Sequence, residues 1–79
     1  MISLNDIKFS RHAKRQIKWR KITEKEVGDT VNNPDRLENS IKDRKNAFKL
    51  IKGRTLKITY KVENGGIIII TAMVKGGKK

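Results

Sequence analysis

Residues 9–34 read FSRHAKRQIKWRKITEKEVGDTVNNP, and this stretch decides the fold because it contains two helix starts and one helix stop. Ser10 is a good N-cap, since its hydroxyl can accept from the free N–H groups of a first helical turn. Residues 11–21 contain neither glycine nor proline and only one β-branched residue, so they predict a helix. Thr23 and Glu26 have the spacing of a capping box, which predicts a second helix over residues 24–33. Pro34 then ends it, because proline pushes the preceding residue out of the α region.

The remainder of the chain favours strands. Residues 5–9 are a candidate short strand, residues 36–41 are a second candidate, and residues 47–52 are a third. The clearest signal is the run RTLKITYKVE at residues 54–63, where apolar residues alternate with threonine and lysine. The run IIIITAMV at residues 67–74 is apolar on both faces, which is typical of a central strand.

Asn64-Gly65, between the last two strands, is the preferred residue pair for a two-residue type I′ hairpin turn. Such a turn fixes which residues lie opposite each other, whereas a longer loop would shift the register by one, and the sequence leaves both open. The two-residue turn predicts the pairs Val62 with Ile67, Tyr60 with Ile69, Ile58 with Thr71, and Leu56 with Met73.

These elements predict an α+β domain in which two N-terminal helices pack on one face of an antiparallel sheet of three to four strands. A chain of 79 residues is expected to form a single domain over residues 1–79, with residues 76–79 as a frayed basic tail. The sheet face away from the helices would present Lys57, Thr59 and Lys61 as a floor for phosphates.

The composition favours a polyanionic partner. Twenty Lys and Arg residues stand against eight acids, which gives a net charge of +12 and points to nucleic acid before an anionic membrane. A Lys-rich thermophile surface is the alternative, although such surfaces usually add glutamate as well. The absence of cysteine, of a signal peptide and of an apolar stretch of ~20 residues favours a cytoplasmic location. A single histidine and scattered acids predict no metal site and no cofactor.

The first predicted helix is the strongest functional signal. Six of residues 11–21 are Lys or Arg and none is acidic, so the helix repels itself unless packing or a polyanion offsets its charge. For Trp19, base stacking is weighed against half-buried packing, and packing is favoured. The residues expected to bind nucleic acid are Arg11, Lys14, Lys18 and Trp19 of this helix, with Lys57 and Lys61 of the sheet.

His12 is the candidate base for RNA cleavage without a metal. Such cleavage needs a base, an acid, and cations that stabilise the phosphorane. The helix N-terminus and the neighbouring cations disfavour the charged imidazolium, which suits a base. Arg15, Arg20 and Arg44 are the candidate catalytic cations, and no residue is clearly the acid. The alternative is that His12 only caps or packs locally, with its side chain bonded to a backbone carbonyl near the start of its helix.

Several motifs together carry a family resemblance: FSxHA at residues 9–13, TEKEV at residues 23–27, Asn33-Pro34, and GRxLKIxY at residues 53–60. The chain resembles a family of small prokaryotic proteins of unknown function and is more distantly similar to RelE- and BrnT-type toxins of toxin–antitoxin pairs. The resemblance implies a RelE-like fold.

For function, the resemblance implies a toxin-type RNA-binding protein that acts as a metal-independent endoribonuclease, on ribosome-bound messenger RNA in many relatives, with an acidic antitoxin as partner. Gln16 departs from the arginine that the family commonly has there, which speaks against catalysis unless Arg15 or a sheet cation replaces it. Two alternatives stay open: a nucleic-acid-binding module without chemistry, and a protein-interaction or inhibitor protein.

Overall fold

The computed structural model describes residues 7–63 and 65–75. Three parts of the sequence predictions lie outside the described residues: the first two residues of the 5–9 strand, Asn64 of the hairpin turn, and the basic tail 76–79. In chain order the elements are β1 (Ile7–Phe9), α1 (Arg11–Trp19), α2 (Glu24–Asn32), β2 (Arg36–Asn39), β3 (Arg44–Ile51), β4 (Arg54–Glu63) and β5 (Gly66–Lys75).

Both helices begin where the caps predict. The Ser10 hydroxyl accepts from the Ala13 N–H at 3.0 Å. At α2, the Thr23 N–H donates to the Glu26 carboxylate at 2.9 Å and the Glu26 N–H donates to the Thr23 hydroxyl at 3.0 Å, which confirms the capping box.

The first helix ends at Trp19, two residues earlier than predicted. Lys21 adopts a left-handed conformation with φ 56°, and the Ile22 N–H donates to the Ile17 carbonyl at 2.8 Å. This is a Schellman motif, in which the buried side chains of Ile17 and Ile22 lie at the two ends of the closing hydrogen bond. Ending the helix at this point lets Ile22 enter the core. A further helical turn would move Ile22 out of the core.

The prediction of an antiparallel sheet of three to four strands is wrong. The sheet has five strands in the order β1-β5-β4-β3-β2, and it is mixed, because β1 runs parallel to β5. The parallel register places Ile7 beside Ile67 and Phe9 beside Ile69. Three residues carry too little pattern to reveal a partner that follows some 60 residues later, so the local sequence could not show this pairing.

The β4–β5 register begins as predicted and then shifts. Glu63 pairs with Gly66 and Val62 with Ile67, as a two-residue turn requires, and Gly65 has φ +78°. A bulge in β5 between the partners of Thr59 and Tyr60 inserts one extra residue. Beyond it the predicted pairs are wrong: Ile58 lies opposite Ala72 rather than Thr71, and Leu56 lies opposite Val74 rather than Met73. The bulge thereby turns Ala72 and Val74, not a threonine and an exposed methionine, toward the helices.

The core lies between the helices and one face of the sheet, as predicted. It is built from Ile7, Ala13, Ile17, Ile22, Val27, Val31, Ala47, Leu56, Ile58, Tyr60, Ile67, Ile69 and Ala72. Because side chains alternate along a strand, the residues between these core positions point to the other side of the sheet. We call that side the open face; the cross-strand pairs place on it Arg36, Arg44, Phe48, Leu50, Lys57, Lys61, Met73 and Lys75.

Candidate functional site

One side of α1 is a solvent-exposed basic surface. Ala13 and Ile17 are buried against the sheet, so the residues between them turn outward. Six side chains of α1 are exposed, and together they are called the α1 surface: Arg11, His12, Lys14, Arg15, Lys18 and Trp19.

The cations of the α1 surface form no ion pair with the described residues. Ion pairs do form elsewhere, between Lys49 and Asp35 at 3.8 Å and between Lys61 and Glu63 at 3.1 Å, for example. Neither these pairs nor those of Arg36 and Arg54 involve an α1 cation. The positive charge of the helix is therefore not neutralised within residues 7–63 and 65–75, which leaves it available to an anionic ligand.

Trp19 is exposed, so the half-buried packing that the sequence favoured is wrong. Its side chain is 77% exposed, and the Arg20 guanidinium carbon lies 5.1 Å from the ring centroid. A cation–π contact of this kind helps to orient the indole without covering it. The arrangement leaves an accessible aromatic surface at the C-terminal end of the α1 surface, which is the kind of group on which bases stack.

Arg20, a predicted catalytic cation, contributes its backbone, and not its guanidinium, to a structural junction. Its carbonyl and that of Lys21 accept hydrogen bonds from the two terminal nitrogens of Arg54, at 2.9 and 3.0 Å. Arg54 also approaches the nearly buried carboxylate of Glu26 at 3.6 Å. Arg54 thus ties the α1–α2 connection to β4. The site prediction missed it, although the GRxLKIxY motif contains it.

His12 is exposed in the first turn of α1 and forms no hydrogen bond with any residue in the described ranges. The predicted alternative, in which it bonds a carbonyl at the helix start, is not observed there. Arg15 lies one turn further along the same helix, and Trp19 follows one turn beyond it. The structure therefore brings these three residues together on one stripe of α1.

Gln16 has a structural role at the position where the resemblance expects arginine. Its side-chain carbonyl accepts from the Ala72 N–H at 2.9 Å, and the Ser10 hydroxyl contacts the Ile70 carbonyl at 3.2 Å. Both backbone groups belong to the part of β5 that lies beyond its pairing with β1. A guanidinium has no acceptor, so an arginine could not make the bond that Gln16 makes.

The remaining predicted site residues lie on the other side of the sheet. Lys57 and Lys61 alternate with the buried Leu56 and Ile58, so they project from the open face while α1 covers the opposite one. Arg44, which pairs with Lys61 across the strands, shares the open face. The predicted combination of His12 with these sheet cations is therefore not assembled.

Arg44 also borders a cleft at the end of the β2–β3 hairpin. The cleft has a volume of about 460 Å³ and is lined by Asn39, Ser40, Asp43, Arg44, Lys45 and Val62. None of these side chains is an imidazole or a thiol, and the charged groups that line the cleft are Asp43, Arg44 and Lys45.

Two further properties bear on function. Within the described residues, no group of three or more His, Cys, Asp or Glu side chains is arranged to hold a metal ion. None of the described helices has the length and apolar character needed to cross a membrane.

Comparison with known proteins identifies the family. No curated protein and no solved structure matches the chain. Residues 9–74, which run from the end of β1 to the penultimate residue of β5, match the family described as Domain of unknown function (DUF4258). This confirms the part of the resemblance that placed the chain in a family of unknown function. The chain belongs to the DUF4258 family.

Proposed function

We propose that the protein binds single-stranded RNA and that the α1 surface is the interface. The observation that carries this proposal is the group of four exposed cations, Arg11, Lys14, Arg15 and Lys18, without acidic partners among the described residues and next to an exposed Trp19. Cations of this kind contact phosphates whatever the base sequence. An exposed indole adds stacking, which single strands offer and paired strands do not.

The resemblance to RelE- and BrnT-type toxins supports RNA as the nucleic acid and the cytoplasm as the location. It also supports an acidic antitoxin as a protein partner. The geometry favours the binding function over the catalytic one, because Arg44, Lys57 and Lys61 lie across the sheet from His12.

Equilibrium binding to two unrelated fluorescent single-stranded RNAs tests the proposal. The α1 variant combines Lys14→Gln, Arg15→Gln and Lys18→Gln; its matched control combines Lys25→Gln, Lys42→Gln and Lys52→Gln, three exposed lysines outside α1. Both variants lose three charges, so only position differs. We expect the α1 variant to lose affinity for both RNAs to a similar extent, and the control to lose much less. Equal losses in the two variants would show that net charge, not α1, determines binding.

A second candidate function, a metal-independent endoribonuclease, is favoured by the exposure of His12 beside Arg15. Purified protein would be incubated with single-stranded RNA in excess EDTA, both with and without ribosomes. Cleavage that survives EDTA and falls at least ~100-fold in His12→Ala would support a base at this position. Tight binding of RNA that stays intact would exclude the nuclease and leave the binding function.

A further inference from the structure

A second basic surface lies on the open face and is centred on Phe48. Three cations surround its ring: Arg36 at 5.9 Å, Lys57 at 6.0 Å and Lys75 at 5.4 Å from the centroid. The phenyl ring is only 9% exposed although neither described helix covers this side, so the cationic side chains themselves shield it. Phe48 thereby gathers three positive charges over one point of the sheet.

Two of these charges lack a partner. Arg36 forms an ion pair with Glu38, whereas Lys57 and Lys75 form no ion pair within residues 7–63 and 65–75. Apolar side chains stand beside them, because Met73 is the cross-strand neighbour of Lys57, and Leu50 and Lys75 both pair with Thr55. Met73 is 38% exposed and Leu50 is 62% exposed. The centre of the open face therefore combines unpaired cations with accessible apolar surface.

The chemistry of this surface selects among ligands. Sheets that read single-stranded RNA stack bases on exposed aromatic rings, and the ring of Phe48 is covered by cations. A second copy of the chain would present the same positive charge, which opposes self-association through this face. A ligand that contacts both the cations and the apolar side chains must carry anionic and apolar groups together, and an acidic amphipathic peptide has both.

We propose that the open face docks an acidic, amphipathic segment of a partner protein. Its carboxylates would meet Lys57 and Lys75, and its apolar side chains would pack on Met73 and Leu50. Charge complementarity requires the partner segment to be negatively charged. The exposed methionine and leucine require it to carry apolar side chains as well. The docking surface is separate from the α1 surface, so one molecule has room for RNA and the partner on opposite sides.

A synthetic peptide provides the probe. It is a labelled helical peptide with leucine at positions i, i+3, i+4 and i+7 and glutamate at most other positions, and its comparator has the same charge with glutamine in place of each leucine. The open-face variant, Lys57→Gln with Lys75→Gln, keeps part of each aliphatic stem over Phe48. The matched control, Lys14→Gln with Lys18→Gln, removes two charges from α1.

We expect the amphipathic peptide to bind the parent more tightly than the comparator does. Its affinity should fall on the order of tenfold in the open-face variant and by less than about twofold in the α1 control. The double variant Leu50→Ser with Met73→Ser should bind the amphipathic peptide more weakly than the parent does, and it should bind the comparator as the parent does. Circular dichroism confirms that each variant is folded, and amide shifts in an NMR titration with the parent locate the bound peptide independently of any variant.

Three results would overturn the proposal: no saturable binding of the amphipathic peptide, equal affinity for the two peptides, or a larger loss in the α1 control than in the open-face variant. Titration of single-stranded RNA into the same variants separates the two functions. A loss of RNA affinity in the open-face variant as large as that in the α1 control would identify the open face as a nucleic-acid surface instead.

Discussion

Arg54 holds the α1–α2 connection against the start of β4, and its replacement by alanine should lower the free energy of unfolding by about 2–3 kcal/mol. The side chain donates to the carbonyls of Arg20 and Lys21 at 2.9 and 3.0 Å. It also lies 3.6 Å from the Glu26 carboxylate. Alanine removes all three contacts at once. Within the described residues, the nearly buried carboxylate of Glu26 then keeps the hydrogen bond from the Thr23 N–H and has no cation beside it.

The magnitude follows from the exposure of each contact. A well-formed hydrogen bond from a charged group contributes about 1.5–3 kcal/mol, and the part-buried bond to Arg20 is assigned the lower end of that range. The exposed bond to Lys21 and the ion pair with Glu26 add about 0–1 kcal/mol each. A domain of 79 residues has a total stability of about 4–12 kcal/mol, so this loss is a large fraction of it. The melting temperature should fall by roughly 10–20 °C.

Urea unfolding followed by far-ultraviolet circular dichroism measures the effect, with an unchanged m-value as the sign that only stability has changed. Arg54→Lys keeps the charge but loses the planar fork, so it should lie between parent and alanine variant. Arg15→Ala removes an exposed cation and should stay within about 0.5 kcal/mol of the parent. An Arg54→Ala protein that unfolds within that same margin would refute the structural role of Arg54.

Three further predictions concern the hairpin, the core and the α1 surface. Gly65 has φ +78° and nothing within 4 Å of an added Cβ, so Gly65→Val should cost more than ~1 kcal/mol through backbone strain alone, as measured by urea unfolding. Burial raises the pKa of the Tyr60 phenol above its ordinary value of 10.0, so the unfolded chain loses this proton first as the pH rises. The free energy of unfolding that the buried, protonated phenol contributes is fully present below pH 10.0 and decreases above it. Unfolding curves measured at rising pH should therefore show a smaller loss of stability in Tyr60→Phe than in the parent. Trp19 is 77% exposed, so Trp19→Ala should leave the melting temperature unchanged while weakening RNA binding by about 1–3 kcal/mol per stacked base in a fluorescence titration.

The helix starts and the hairpin were predictable because their signals are local. Ser10 caps α1, and Thr23 with Glu26 caps α2, through hydrogen bonds that span three residues of sequence. The alternation in residues 54–63 likewise gives the buried face of β4 directly. These features need no knowledge of the remainder of the fold.

The sheet order and the bulge were not predictable, because each depends on contacts between distant parts of the chain. A strand as short as Ile7–Phe9 has no detectable period, and its parallel partner lies beyond both helices. The bulge depends on which of Thr71 and Ala72 fits beneath the helices. In the run IIIITAMV either register would bury mainly apolar residues, so the pattern did not decide between them.

The candidate site was predictable in part for the same reason. The exposed cations of α1 follow from helical periodicity once Ala13 and Ile17 are assigned to the core. Trp19 is turned outward by the same periodicity, whereas the separation of His12 from Arg44 depends on which sheet face the helices cover. The cation cluster around Phe48 was not predictable, because the cross-strand register and not the local sequence brings three cations over its ring.

The salt dependence of RNA binding is the most direct test that the α1 surface is the nucleic-acid interface. The equilibrium constant for a single-stranded oligoribonucleotide would be measured across a range of salt concentrations for the parent and for the α1 variant with Lys14, Arg15 and Lys18 replaced by glutamine. Each phosphate contact contributes about 0.7 to the log–log slope for a single strand, so the loss of three contacts should reduce the slope by about 2. A slope that is the same in parent and variant would contradict the assignment and remove α1 from the interface.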